Sequence, residues 1–287
     1  MMLVSSLRRA SHAPWFTSMV TVVLLVIMLL AGAAGYDGFL SPQVMLNLLI
    51  DNAFLLVVAI GMSFVILSGG IDLSVGSVLA LTTMVAAFLL QHWHWPPLLV
   101  MVTVLLMGAG FGAAMGAMIH YFKLQAFIVT LAGMFLARGL CYLISIDSIT
   151  IDDPFFTAMS QTRIEFAGLF ISPSVVIALI VLAMAIWMAH GTRFGRAVYA
   201  IGGTLLTGGY GYVAGTLTGV LILGVIQTLI AFDGSLSSWW TKIFIGALLF
   251  VFCVAQRIIS LGALRGKPAG SAKAAPVGAS AGFSKLS

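Results

Sequence analysis

DNAFLLVVAIGMSFVILSGGIDLSVGSVLAL, residues 51–81, is the stretch that decides the fold of this chain. From Phe54 to Leu90 the residues are apolar almost throughout, and only SGGIDLS at 68–74 separates two runs. The apolar residues are continuous rather than alternating, which means helices and not barrel strands. A helix needs about 20 apolar residues to cross a hydrocarbon core, so two complete spans leave almost no loop between them. The spacing therefore predicts a turn that dips into the membrane, with shortened or broken helices around it. Gly69 and Gly70 permit the unusual backbone of such a turn, and Asp72 or Ser74 can cap the helix that follows. Discontinuous helices are tolerated at membrane depth only where protein buries them or where they line a cavity.

The rest of the chain continues the pattern. Apolar segments stand at 15–34, 45–67, 73–90, 97–119, 126–145, 173–189, 212–232 and 239–256, which predicts an all-α, polytopic transmembrane bundle of about eight membrane segments. The composition agrees: 61% of the 287 residues are hydrophobic, 7% are charged, and the mean hydropathy is +1.16. Soluble domains carry about 25% charged residues, so an ordinary soluble globule is excluded. The run from Trp15 is too long for a signal-peptide core and reads as a retained first span. Three regions follow: an N-terminal segment 1–14, a membrane domain 15–258, and a flexible basic tail 259–287 that includes GKPAGSAKAAPVGASAGFSKLS.

A net charge of +5 would raise the question of nucleic acid in a soluble protein. Here the basic residues sit between hydrophobic runs, where topology explains them better. With the N-terminus cytoplasmic, Arg8, Arg9, Lys123, Arg193, Arg196, Arg257, Arg265, Lys267, Lys273 and Lys285 all fall inside. Only Arg163 and Lys242 fall outside, and Arg138 lies within a span. The loop 146–172 carries Asp147, Asp152, Asp153 and Glu165, as suits an outer face. Both termini are therefore expected in the cytoplasm.

The candidate functional residues cluster at the interruptions. Asp72 is either a pathway or gate residue or a helix N-cap near the cytoplasmic face, because a carboxylate at membrane depth needs a partner or water. Arg138, in LAGMFLARGLCYLIS, must face the bundle interior, snorkel, or pair with a carboxylate or carbonyls. Asp51 and Asn52, near the outer start of the second span, can face a ligand or cap a helix. Ser68, Gly69, Gly70 and Ser74 frame the turn. A weak internal repeat pairs SGGIDLSVGSVLAL (68–81) with IGGTLLTGGYGYVAGTLTGV (201–220) and brings in Gly202 and Gly203. Interrupted segments in corresponding halves point to a transport pathway. Gly108, Gly112 and Gly116 form a small-xxx-small stripe expected to pack closely against another helix. Trp239 and Trp240 read as interfacial anchors or as aromatic platforms at an outer mouth.

No P-loop, HExxH or GxSxG motif occurs. Cys141 and Cys253 both lie in apolar runs, and His92 and His94 lack a third ligand. Neither an intramembrane enzyme nor a metal site is supported, and no cofactor is expected in this chain.

The stretch 51–81 resembles the most characteristic motif of the ribose/xylose/arabinose/galactose permease family of ABC importers. AFIVTLAGMFLARGLCYLIS (126–145), TRFGRAVYAIGG (192–203) and FDGSLSSWWTKIFIGALLF (232–250) are similar to further motifs of that family, and of its galactofuranose branch above all. The resemblance covers about 40–257. It implies a bacterial inner-membrane complex of this chain with a sister permease, a cytoplasmic ABC ATPase that consumes ATP, and a periplasmic sugar-binding protein. It also implies a sugar pathway near the broken helices, with Arg193 and Arg196 on the ATPase side.

One departure stands out. Family members carry a cytoplasmic helix and further membrane segments after the TRFGRAVYAIGG-like stretch. Here Gly203 runs straight into TLLTGG at 204–209, as if two Gly-Gly sites had been joined and about two spans lost. The alternative expectation is thus an internally deleted permease remnant that inserts but does not transport.

Overall fold

The computed structural model describes residues 14–166, 168–204, 213–234, 240 and 243–247. In chain order the elements are α1 (Pro14–Gly35), α2 (Pro42–Asp51), α3 (Ala53–Leu67), α4 (Val75–Gln91), α5 (Pro97–Tyr121), α6 (Ala126–Ile144), α7 (Pro154–Gln161), β1 (Ile164–Phe166), β2 (Leu169–Ile171), α8 (Pro173–Gly191), α9 (Arg193–Thr204) and α10 (Val213–Asp233). The starts are written locally. Proline occupies the first turn of α2, α7 and α8, where its missing N–H costs nothing. In each, the residue before it caps the helix: Ser41 accepts from the Val44 N–H, Asp153 from Phe155 and Phe156, and Ser172 from Ser174.

By length and composition, α5, α6, α8 and Gly215–Asp233 of α10 can each cross a membrane. The pair α2–α3, bent by 56°, makes a fifth crossing if taken as one broken span. Thr21–Gly35 of α1 and all of α4 are shorter apolar helices. The first seven expected segments thus each contain helix, while the full count of eight is not reached among the described residues. Most of the eighth, 239–256, lies outside them, as do the segment 1–13 and the tail 259–287.

One expectation needs correction: the segment 45–67 is not one continuous helix, because it breaks at Asn52. The loop 146–172 holds α7 and an antiparallel pair in which Glu165 faces Phe170 and Phe166 faces Leu169. Gly168, at φ +76°, sits in its turn.

The helices pack as two groups. In the first, α3, α8, α9 and α10 surround Leu56, Ile60, Ala178, Ala185 and Val220. The helices α1 and α2 join through Phe39, Leu48 and Val225. Phe39 is fully buried: its ring fills the space that a side chain at Gly32 would take and lies 5.5 Å from the Phe232 ring. In the second group, α4, α5 and α6 pack around Leu81, Ala137 and Cys141, with Leu89, Leu90 and Val100 at one end. Among the described residues, helices of the two groups touch only slightly. The chain joins the groups twice, through the turn 68–74 and through the segment 145–172. In the latter, Ile151 and Phe156 pack on Leu89, Leu90 and Val100 while α7 leans on α8.

Candidate functional site

The SGGIDLS turn satisfies its own backbone. The Gly69 N–H donates to the Ile66 carbonyl at 2.9 Å and the Gly70 N–H to the Val65 carbonyl at 3.0 Å, with Gly69 at φ +76°. This pair of bonds is the Schellman closure, which needs a left-handed residue just beyond the helix. Ser68 adds its hydroxyl, donating to the Val65 carbonyl at 2.8 Å. The next helix is braced by Asp72, whose Oδ1 accepts from the Ser74 N–H at 2.8 Å and from the Ser74 hydroxyl at 2.6 Å. Ser74 is 1% exposed. Asp72 therefore takes a cap-like role at the start of α4. Thr130 of α6 also reaches the turn, donating to the Ile71 carbonyl at 3.3 Å.

At the other break, Asn52 is 2% exposed between α2 and α3. Its backbone N–H turns to the Ile50 carbonyl, and its side chain donates Nδ2–H to the Leu48 carbonyl at 2.9 Å in place of the missing helical bond. The amide oxygen, Oδ1, has no partner among the described residues. Helix α10 crosses here at Gly224, where an added Cβ would lie 2.6 Å from Asn52 Nδ2. One turn from the start of α10, Thr216 Oγ1 meets Ser63 Oγ at 2.5 Å. Ser63 already donates to the Ala59 carbonyl at 2.8 Å, so Thr216 is the donor between them.

Asp51 faces the other way, into a cleft of about 240 Å³ whose lining includes Gln43, Asn47, Arg163 and Phe170. Gln43, Asn47 and Asp51 recur every four residues and so share one face of α2. Gln43 docks the hairpin: its Nε2 donates to the Phe170 carbonyl at 3.1 Å, and its Oε1 accepts from the Phe170 N–H at 3.0 Å. Its Nε2 also donates to Asn47 Oδ1 at 3.0 Å. A second, more apolar cavity of about 500 Å³ adjoins this cleft through Ile50 and Ser172, lined further by Ile151, Phe156 and Met159.

The remaining sequence candidates lie apart. Arg138 is exposed on α6, beside Phe135 at 66% and Leu136 at 58%, and has no ion pair or hydrogen bond among the described residues. The expected pairing within the chain is thus absent there. Arg193 and Arg196 are exposed on α9, whose Gly195 and Val198 pack against α8. Gly195 is forced: a side chain there would run into the Ala189 backbone carbonyl. Gly202 and Gly203 continue the helical turns of α9, unlike the capping pair Gly69–Gly70, so the repeat is not matched in backbone form. Trp240 is half exposed with its ring 5.9 Å from that of Phe244, while Trp239 lies outside the described residues. The Gly108–Gly112–Gly116 stripe does not pack closely among the described residues: Cβ atoms added at Gly112 and Gly116 meet nothing there, and one at Gly108 meets only Thr82 at 3.9 Å. Close approach falls instead at Gly133, under Met115, and at Gly224.

Sequence reading missed Gln43, Asn47 and Gly224. The first two carried a signal, polar residues at helical spacing in an otherwise apolar segment. The third had none, since its partner is distant in sequence.

Residues 44–206 match the family described as branched-chain amino acid transport system / permease component. The chain is 41% identical over 301 residues to the inner membrane ABC transporter permease protein YjfF of Escherichia coli K12, which takes in 83% of this chain and 91% of that protein. It is 31% identical over 310 residues to the fructose import permease protein FruG of Bifidobacterium longum, with 84% and 91% covered. To the ribose import permease protein RbsC of Haemophilus influenzae it is 37% identical over 188 residues, covering 63% and 56%. No solved structure matches.

Proposed function

The chain belongs to the permease components of sugar-importing ABC transporters, and on that premise we propose that it forms part of a sugar pathway across a bacterial inner membrane. A permease component is not an enzyme. It supplies helices, and the ATP is consumed by a partner ATPase. The observation that carries the reading is the match over 44–206, which takes in the bend at Asn52, the self-closed turn and α9 together. A furanose-form hexose such as galactofuranose is the substrate we favour, on the motifs at 126–145, 192–203 and 232–250.

The partners follow from the same reading: a sister permease, a cytoplasmic ABC ATPase and a periplasmic sugar-binding protein. The exposed Arg138 supports the first, because an arginine left to lipid costs about 2.5–3.5 kcal/mol and calls for protein cover. Arg193 and Arg196, exposed on α9, suit the cytoplasmic side where an ATPase docks, with both termini on that side. The broken-helix residues Asp51, Asn52, Ser68, Gly69, Gly70, Asp72 and Ser74 border the pathway, with Gly202, Gly203, Trp239 and Trp240 from its second half. Transport then runs by alternating access.

A second reading, a permease shortened after Gly203, has its own support. The alignment with the Escherichia coli relative runs over 301 residues yet takes in only 83% of a chain of 287, so it passes positions of the relative that this chain lacks. The family match stops at 206, although apolar segments continue to 256.

Co-purification in detergent with the ATPase and sister permease tests both readings. A variant carrying a family-like segment inserted between Gly203 and Thr204 is run in parallel. Retention of the ATPase by the natural chain supports a working permease component. Retention only by the lengthened variant shows that the docking contact has been lost, and retention by neither refutes the family assignment of partners.

A further inference from the structure

We infer that the cleft between α2 and the β1–β2 hairpin is a subsite for one uncharged monosaccharide ring, which rests on the sugar-permease reading above and adds a place to it. The argument begins with what the wall has already spent. Both hydrogens of Gln43 Nε2 are committed, one to Asn47 Oδ1 and one to the Phe170 carbonyl, and its oxygen holds the Phe170 N–H. Gln43 is therefore scaffold, not ligand contact. The same bond fixes the Asn47 amide so that its oxygen is used and its Nδ2 hydrogens remain free to donate.

Two further groups in the lining are unspent. Asp51 has no hydrogen bond or ion pair among the described residues, and neither has Arg163, although both line the same cleft without pairing with each other. A carboxylate only accepts, and a guanidinium only donates. The cleft thus offers acceptors from Asp51 and donors from Arg163 and Asn47, with Ile50 and Phe170 as apolar surface beside them.

That combination fits a zwitterion or a neutral polyol, and the sugar-importer reading is what favours the polyol. A cation is disfavoured by Arg163 and an anion by Asp51. Asp51, Asn47 and Arg163 are all exposed, so water serves them while the cleft is empty, and an occupant must replace that water with hydrogen bonds of its own, which an apolar molecule cannot do. A neutral molecule bearing adjacent hydroxyls meets each need, because every hydroxyl can donate to the carboxylate and accept from a guanidinium or amide N–H. The volume sets the size. About 240 Å³ falls below the usual range for drug-sized ligands, about 300–1,000 Å³, which suits one sugar ring and not an oligosaccharide. The site also lies on the bent half of the broken span, one residue before Asn52, so its occupant would bear on the break itself.

The test is saturation-transfer NMR on the full chain in detergent, with D-ribose, D-fructose and D-galactose as probes and triethylene glycol as a non-sugar control. Asp51→Asn and Arg163→Gln are compared with the natural chain, and gel filtration and circular dichroism establish that each is folded. Because each variant removes a hydrogen bond to a charged group, binding should weaken by at least about tenfold. Transfer to at least one sugar, none to the glycol, and that loss in both variants supports the subsite. Two results overturn it: no transfer to any sugar from the folded natural chain, or equal transfer from both variants. A chain that holds its ATPase but shows no sugar transfer loses only the subsite. One that shows the expected sugar transfer but holds no ATPase keeps the subsite and loses only the working-importer reading.

Discussion

Replacing Gly224 with alanine should strain the break at Asn52, and the strain should vanish when Asn52 is also removed. The new Cβ would lie 2.6 Å from Asn52 Nδ2 and 3.3 Å from Leu48 Cδ2. The amide has little room to retreat, since Asn52 is 2% exposed and its Nδ2 is tied to the Leu48 carbonyl at 2.9 Å. Overpacking of this kind costs about 1–3 kcal/mol. Asn52→Ala alone leaves the buried Leu48 carbonyl without its partner, about 1–3 kcal/mol, but also deletes the unpartnered Oδ1, whose burial costs a similar amount. The two nearly cancel, so the single change should move stability by no more than about 1 kcal/mol. In that background Gly224→Ala meets only the Leu48 methyl, and its cost should drop below about 1 kcal/mol. The double-mutant cycle should then show a coupling of about 1–2 kcal/mol in the relieving direction. Unfolding by SDS in mixed micelles, followed by far-UV circular dichroism, measures each corner. Additivity to within about 0.5 kcal/mol would refute the contact between α10 and the break.

Three further outcomes follow from the geometry. Gly69→Ala should destabilise by about 1–2 kcal/mol in the same assay, and Gly69→Asn by less, because φ +76° is open to asparagine but costly for alanine. Thr216→Val removes the donor to Ser63 and should cost about 0.6 kcal/mol, the average for an interhelical hydrogen bond between membrane helices; no loss would show the bond to be idle. Gly195→Ala, which meets backbone rather than a yielding side chain, should loosen α9 from α8 and speed tryptic cleavage at Arg193 and Arg196; unchanged cleavage would contradict the packing.

The helices were legible because membrane spans are written as length and composition. So were the cap residues of the SGGIDLS turn, because glycine, serine and aspartate act there on their immediate neighbours. The break at Asn52 was not. An isolated asparagine after Asp51 reads as a cap or a ligand contact, and what singles it out is the close pass of α10 at Gly224, more than 150 residues later. Arg138 shows the opposite failure. A charge in a span asks for a partner, a cavity or the interface, and sequence does not tell a partner in the same chain from one in another. The glycine stripe of α5 was misread for the same reason: close spacing of small residues states that an approach is possible, not that this chain makes it.

The two helix groups are joined at opposite ends. Thr130, near the start of α6, touches the turn before α4, which puts both beginnings at one end, while α6 leaves toward the segment 145–172 at the other. A body pinned above and below behaves like a door on two pintles. It swings sideways along its whole height, and neither its top nor its bottom gapes alone. A passage that must be open to one side of the membrane and closed to the other is poorly served by such a joint. On the proposed reading, the seam alone is therefore a poor place for such an opening, and a pathway bordered by the turn and by the Asn52 break would need a second subunit as its opposing wall.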